Sequence, residues 1–439
     1  MTPMSSDEQK IIQEFSRFAL ESVMPANFIP AAVTCAGGRM TIKGTTYDLH
    51  KFSSVYVVSI GKAALSMAEA LDPIIRPYVK QGIVLTKHLP DHHDLGKNYL
   101  VLRGGHPNPT EESIAGAEAI LNLLDKTNED DLVIFMISGG GSALMTKPLN
   151  NLDLETYQRF NNAILGSGAD IKEFNTLRKH LDGVKGGRLA LHAAPSKQIT
   201  LILSDVVGSP LDVIASGPTI PDPSTYQDAM KIFNFYAQFA EFPDEILQTL
   251  RMGCEGKLPE TLKENDASLQ NSDWFLLADN RLAAYTAASQ SMKLGLKAKV
   301  LNTALTGDAA AIGRMLPSFF SELEEHSLLI FGGETTVQLS GSGIGGRNQE
   351  LALASVRQMA DWPGCILFTL ATDGEDGPTD AAGAFVTSDT LGKALAMEMD
   401  PDKFLKNHDS YNFFDKIGNL IRTGPSGTNV NDLTFLVRL

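Results

Sequence analysis

The stretch DLVIFMISGGGSALMTKP, Asp131 to Pro148, sets an apolar strand candidate directly against three consecutive glycines. Leu132 to Ile137 are all apolar, and the run stops at Ser138-Gly139-Gly140-Gly141-Ser142. A strand end does not need three glycines. Glycine loses more conformational freedom on folding than any other residue, so a run of it marks a place where another group approaches the bare backbone. Backbone amides in such a turn, backed by a helix N-terminus, form a concave nest suited to phosphate oxygens.

Around this stretch, strand-like and helix-like segments alternate, the pattern of an α/β protein with a mainly parallel sheet. Strands are predicted at 53–61, 82–87, 131–139 and 198–206, and in the second half at 272–279, 297–302, 327–333, 335–341 and 365–374. Apolar spacing of three and four predicts helices at 63–75, 112–126, 280–295, 307–319 and 347–360. The polar region 240–273 has few strand signals and reads as the linker between two domains, 1–250 and 270–439.

Most strand candidates end in clusters of Gly, Ser, Thr and Asp: SIGKA (59–63), ISGGGSA (137–143), LSDVVGSPLDVIASGPT (203–219), FGGETT (331–336) and ATDGEDGPTDAAG (371–383). In a parallel α/β sheet the carboxyl ends of the strands share one edge, where ligands bind. One glycine loop alone is more often turn geometry than a phosphate site. Five such loops shift the balance toward a phosphate site. Lys62 would stand in the first turn of a helix, where a cation opposes the macrodipole, so function accounts for it better than packing does. Asp205, Asp373, Asp376 and Asp380 are equally readable as helix caps or Asx turns. His106 and His180 read as structural donors, because no Ser or Cys motif of nucleophilic type accompanies them.

Composition narrows the function classes. The chain of 439 residues carries 37 basic and 52 acidic residues, a formal net charge of −15, with no basic run. That balance disfavours nucleic acid and anionic membranes as partners. Cys35, Cys254 and Cys365 are too scattered for a disulfide framework or a cysteine-based zinc site. A polar N-terminus and the lack of a long apolar run predict a cytoplasmic protein. Gly341, Gly343 and Gly346 formally satisfy the dinucleotide fingerprint, which keeps an NAD(P)-dependent oxidoreductase as the alternative. Arg347 at the start of the following helix fits an anionic ligand better. No Gly-Lys-Ser/Thr follows a glycine run, so the P-loop class is excluded.

The motifs SIGKAA, GGHPNP, ISGGGSAL, FNTLRKHLDGVKGGRLA, LSDVVGSPLDVIASGPTIPDPST, GGETTV, GGRNQELALA and ATDGEDGPTDAAGA occur in this order. Together they closely resemble the class II glycerate kinases, the glycerate 2-kinases of the MOFRL-domain family, over about residues 10 to 430. The resemblance implies a Rossmann-like three-layer N-terminal domain, a second, smaller α/β (MOFRL) domain, and an active site in the cleft between them. It implies transfer of the γ-phosphoryl group of ATP to the C2 hydroxyl of D-glycerate, with Mg²⁺, giving 2-phosphoglycerate and ADP. Some members of this family have been named hydroxypyruvate reductase, so that activity is the alternative. A homodimer is the assembly left open.

By this resemblance Lys62 and Arg347 are the essential cations. Lys62 would be a point charge on the transferring phosphoryl group, and Arg347 would offer its fork to the glycerate carboxylate or the γ-phosphate. Ser138, Gly139, Gly140, Gly141 and Ser142 would cradle the nucleotide phosphates, with Gly333, Glu334 and Thr335 as further nucleotide contacts. Asp205 is the expected Mg²⁺ ligand or base, with Asp373 as a second metal ligand. The segment NTALTGDAA (302–310) departs from the family pattern and leaves the role of Asp308 open.

Overall fold

In the computed structural model, which describes residues 6–439, the apolar run from Asp131 to Ile137 is a strand with every residue buried. Full burial on both faces is why it reads as a continuous apolar run rather than an alternating one. It lies in the N-terminal unit of two, which comprises residues Phe28–Ser204 and Ser209–Leu277. That unit starts with a small antiparallel sheet of β1 (Val33–Ala36), β2 (Arg39–Ile42) and β3 (Thr45–Asp48). Its main sheet holds β4 (Ser54–Ile60), β5 (Val79–Thr86), β6 (Tyr99–Arg103), β7 (Asp131–Ile137), β8 (Lys197–Leu203) and β9 (Ser272–Ala278), in the order β6-β5-β4-β7-β8-β9.

The pairs β4–β5, β4–β7, β5–β6 and β7–β8 are all parallel. From β4 the chain proceeds outward to β5 and β6, and from β7 it proceeds the other way to β8. The order therefore reverses between β4 and β7, the topological switch point at which doubly wound sheets bind ligands. β4 and β7 run in register from Ser54 opposite Asp131 to Ile60 opposite Ile137. The glycine loops that follow them consequently leave the sheet side by side.

The remainder of this unit is helical. Helices Leu154–Gly166, Ile171–Leu181, Tyr226–Tyr236 and Asp244–Cys254 pack around Tyr157, Phe160, Phe174, Tyr226, Phe233, Ile246 and Leu250. The region 240–273 is therefore not a linker: Ile246 and Leu250 are fully buried and tie its helix into that core. Within Asp244–Cys254 the polar residues are the solvent side of an amphipathic helix.

The C-terminal unit comprises residues 6–27, 205–208 and 278–439. The sequence division at 250–270 thus misses the N-terminal helix Ser6–Val23, which packs on helix Asn280–Lys293. Its sheet contains β10 (Lys297–Asp308), β11 (Ser327–Thr336), β12 (Cys365–Ala371), β13 (Gly383–Thr387), β14 (Leu420–Ile421) and β15 (Asp432–Arg438), ordered β10-β11-β15-β12-β13-β14. Here the expectation of a mainly parallel sheet fails. Only β10–β11 pair in parallel, because β15 inserts antiparallel between β11 and β12. Phe368 of β12 and Phe435 of β15 stack with centroids 4.4 Å apart and fix that insertion. The separate strand expected at 335–341 is only the end of β11, which stops at Thr336. Among the described residues no helix is long and apolar enough to cross a membrane.

Candidate functional site

At the switch point the two strand ends are laced together. Ser138 N–H donates to Ile60 O (2.9 Å), Lys62 N–H to Gly139 O (2.8 Å), and Ala63 N–H to Ser138 Oγ (3.1 Å). A Cβ on Gly61 would fall 2.1 Å from Ser138 Oγ, so glycine is required there for the close approach of the loops. Gly140 has φ +81°, and a Cβ on it would lie 3.0 Å from Lys62 Cγ and 3.1 Å from His106 Cδ2. The backbone N–H groups of Gly139 and Gly140 donate to no protein group among the described residues. Unsatisfied adjacent amides beside a left-handed residue are the geometry of an anion nest.

The loop is held from beneath. Gly141 packs on Ala215, whose Cβ would lie 2.7 Å from an added methyl, and Ser142 Oγ donates to Ser216 Oγ (2.7 Å). Ser216 Oγ in turn donates to Asn175 Oδ1 at 3.0 Å. Ala215, Ser216 and Gly217 have successive φ values of 51°, 60° and 56°. Two adjacent non-glycine residues in the left-handed region are costly, and such strain persists where the surroundings over-determine it, often at ligand sites.

Charge gathers at the same place. Lys62 is exposed, while Lys87, His106 and Arg178 are half-buried. None of the three cations Lys62, Lys87 and Arg178 makes an ion pair among the described residues. Burial and then the charges of Lys62, Lys87 and Arg178 push the His106 pKa down to about 4, so its imidazole is neutral at physiological pH. Sequence reading passed over Lys87 and Arg178 because it shows a charge but not the absence of a counter-ion. The Gly104-Gly105-His106 motif was the available signal for His106.

In the C-terminal unit the expected residues are placed differently. Arg347 opens helix Arg347–Met359, and its fork is occupied: Nε and Nη2 donate to the two oxygens of Asp432 at 2.5 and 3.1 Å. Nη1 pairs with Glu334 at 3.0 Å. Burial opposes the guanidinium charge, but Asp432 and Glu334 outweigh it and raise the Arg347 pKa. Asp432, absent from the sequence expectations, is thus the principal partner of Arg347. Asp376 accepts from the N–H groups of Asn348 (3.1 Å) and Gln349 (2.8 Å), capping that helix. Burial and then the charge of Asp432 push the Asp376 pKa up to about 6. Asp373 forms an Asx turn by accepting from Glu375 N–H at 3.1 Å, and Asp308 caps its helix through Ala311 N–H at 2.7 Å.

The glycines here meet the chain itself. A Cβ on Gly333 would lie 2.1 Å from Leu305 O, where β10 and β11 approach each other across a bulge, and Thr335 is buried beside it. Additions to Gly341 and Gly343 would each fall 2.5 Å from Asn407 O, and one to Gly346 2.3 Å from Asp376. The three fingerprint glycines therefore make room for protein atoms, not for a pyrophosphate. Asp205 is half-buried two residues beyond β8. Among the described residues no group of three or more His, Cys, Asp or Glu could hold a metal ion, so Asp205 and Asp373 are not joined into a protein cage. Lys62 and the 138–142 loop thus come together in one unit, and Glu334 and Arg347 in the other.

The comparisons agree with this architecture. Residues 11–251 match a family model described as a domain of unknown function, DUF4147, and residues 327–432 match the MOFRL family. The glycerate 2-kinase of Pyrococcus horikoshii is 38% identical over 427 residues, covering 95% of this chain and 94% of that one. The D-glycerate 2-kinase of Thermotoga maritima is 42% identical over 388 residues, covering 86% and 89%. A putative hydroxypyruvate reductase of Agrobacterium vitis is 38% identical, covering 87% and 86%. The crystal structure of the Thermotoga maritima glycerate kinase superposes with a TM-score of 0.86 at 38% identity, covering 99% of this chain and 100% of that one. With both family models matched and relatives of 38% and 42% identity covered over most of their length, the chain belongs to the class II glycerate kinase family.

Proposed function

We propose that this protein phosphorylates the C2 hydroxyl of D-glycerate with ATP, releasing 2-phosphoglycerate and ADP. The observation that carries the proposal is the pair of amides at Gly139 and Gly140 beside the Lys62 ammonium, all without a protein partner among the described residues, at the switch point of a parallel sheet. Phosphoryl transfer asks little covalent chemistry of a protein; it asks for alignment of the nucleophile and neutralisation of the charge on the moving group. The amides of the glycine run hold phosphate oxygens, and Lys62 supplies a mobile point charge close to the transferring phosphoryl group. Arg347 is held rigid by Asp432 and Glu334, and acts through its remaining N–H groups. Asp205 is the proposed base. Asp373, and Asp205 where it does not serve as the base, are the carboxylates that would hold Mg²⁺, which would neutralise phosphate charge when bound with the nucleotide. The substrates are small soluble anions, which fits a cytoplasmic enzyme, and the net charge of −15 argues against nucleic acid as a partner.

The reductase alternative loses the support of the dinucleotide fingerprint, because the space beside its glycines is filled by Asn407 and Asp376. Incubation with D-glycerate and Mg-ATP should release ADP in proportion to glycerate, with a single phosphorus resonance of the 2-phosphate ester. Formation of 3-phosphoglycerate alone would retain the kinase and overturn the position of attack. Oxidation of NADH by hydroxypyruvate without ADP release would replace the proposal by the alternative.

A further inference from the structure

The motif around Arg178 and the GGHPNP motif are left without a role by the proposal above. Arg178 lies on helix Ile171–Leu181, one turn beyond Asn175, so the two side chains share a face. Asn175 receives the hydrogen bond from Ser216, which is itself bonded to Ser142 of the glycine run. The helix face that carries Arg178 is thereby tied to the nest. The guanidinium lies 3.7 Å from the centroid of the Phe174 ring, an arrangement that orients its plane and leaves its N–H edge unused.

A structural role as counter-ion to Asp182 does not account for Arg178. Asp182 is buried and already receives Lys185 Nζ at 2.5 Å, Tyr157 OH at 3.3 Å and the N–H groups of Lys147 and Val184 at 3.2 and 3.0 Å. Burial lowers the Arg178 pKa more than Tyr157 and Asp182 raise it, so the charge stands where it is disfavoured. Arg178, Lys87 and Lys62 all act on His106, whose ring lies against Gly140. In a 2-hydroxy acid the carboxylate is bonded to the carbon that bears the reacting hydroxyl. A cation for that carboxylate must therefore stand within a few ångströms of the cation for the phosphoryl group, yet be distinct from it.

Resting on the kinase reading, we infer that Arg178, supported by Lys87, is the carboxylate-binding residue that selects a small 2-hydroxy acid as acceptor, with Lys62 and the Gly139–Gly140 amides serving the phosphoryl group. The neutral His106 fills the space between the two anion positions without adding a third charge. Arg347 is a poorer carboxylate receptor because Asp432 already occupies its fork.

The test compares D-glycerate with its neutral amide, glyceramide, as acceptors. Arg178→Met should lower kcat/KM for D-glycerate on the order of 100-fold, mainly through KM, and leave the slow glyceramide rate and the KM for ATP unchanged. Lys87→Met should lower the same ratio by about 5- to 10-fold. Equal losses on both acceptors would make Arg178 structural and overturn the inference. A raised KM for ATP with glycerate unaffected would assign it to nucleotide phosphate and likewise overturn it. Should Arg178→Met fail to fold, Arg178→Lys and Lys87→Met carry the comparison. Failure of the kinase reading is separate: it shows as no ADP release by the wild type. Calorimetric binding of D-glycerate to the wild type, lost in the variant, then still decides whether Arg178 holds the carboxylate.

Discussion

A side chain added to Gly140 would first meet the movable side chains of Lys62 and His106, whereas one added to Gly343 would meet the backbone oxygen of Asn407 at 2.5 Å. Both glycines belong to strand-end loops that look alike in sequence. In the N-terminal unit the bare backbone stays open and two amides donate to no protein group among the described residues. In the C-terminal unit the same absence of Cβ is consumed by the protein's own packing. The cations follow suit: among the described residues Lys62 has no carboxylate partner, and Arg347 has two. One region is arranged to receive an anion and the other to hold a charge in place.

The largest effect expected from this contrast is at Lys62. Its side chain is exposed and unpaired, so Lys62→Met should leave the melting temperature unchanged and lower kcat by about 100- to 1000-fold, the usual loss for one donor to developing charge. Steady-state kinetics with a thermal melt on the same preparation would check it. A loss of stability with normal turnover would remove Lys62 from the chemistry.

Arg347→Met should differ from it by losing stability as well as turnover. Removing the guanidinium leaves Asp432, with its side chain only 9% exposed, without its partner. The expected cost is about 3 kcal/mol, the low end for a broken buried pair because a third of the Arg347 side chain remains exposed. Urea unfolding would read this directly. A variant as stable as the wild type but inactive would mean that Arg347 is as available to substrate as Lys62, and the contrast between the units would fail.

The parallel half of the architecture was legible because β4 and β7 are buried on both faces, and a strand with no solvent side needs an uninterrupted apolar run. The antiparallel half was not. Nothing in the residues Asp432–Arg438 states that they will insert between two strands that lie far earlier in the chain, and the partner of Arg347 was hidden with them. The short strands β1 to β3 carry no more than four residues each, too few for a period to show. Residue types put Lys62 and the glycine run at the ends of two strands, and the structure sets those two loops side by side. Arg178 escaped notice because its significance is a missing partner, and pairing is a property of three dimensions.

The glycines themselves give an intermediate effect. Gly140→Ala places a side chain at φ +81°, which costs about 1 to 2 kcal/mol, and displaces Lys62. It should therefore lower kcat beyond what its modest destabilisation explains, and raise the KM for ATP. Gly343→Ala forces Asn407 and Asp409 to move and should cost about 1 to 3 kcal/mol through overpacking, with both kinetic constants for the folded enzyme unchanged. If Gly343→Ala raised the KM for ATP while Gly140→Ala did not, the assignment of the open and closed loops would have to be exchanged.

The smallest effect is expected from pH, because the two units titrate in opposite directions and partly cancel. His106 has a folded pKa of about 4 against 6.5 in a free chain, so between those values the unfolded state binds a proton that the folded state does not. Its contribution to stability is present above pH 6.5 and is lost as pH falls toward 4. Asp376 has a folded pKa of about 6 against 3.8, so there the folded state binds the extra proton, and stability falls as pH rises through nearly the same window. Single variants should separate the slopes. In urea unfolding between about pH 4 and 6.5, the stability of the wild type relative to His106→Gln should grow with pH, and relative to Asp376→Asn it should shrink. Should the two units unfold in separate transitions, each slope will appear only in the transition of its own unit. Slopes of the same sign would show that one of the two groups is more exposed to solvent than its surroundings imply; a flat response to His106→Gln in particular would mean that Lys62, Lys87 and Arg178 do not converge on it, and the open region would lose the charge that sets it apart from the closed one.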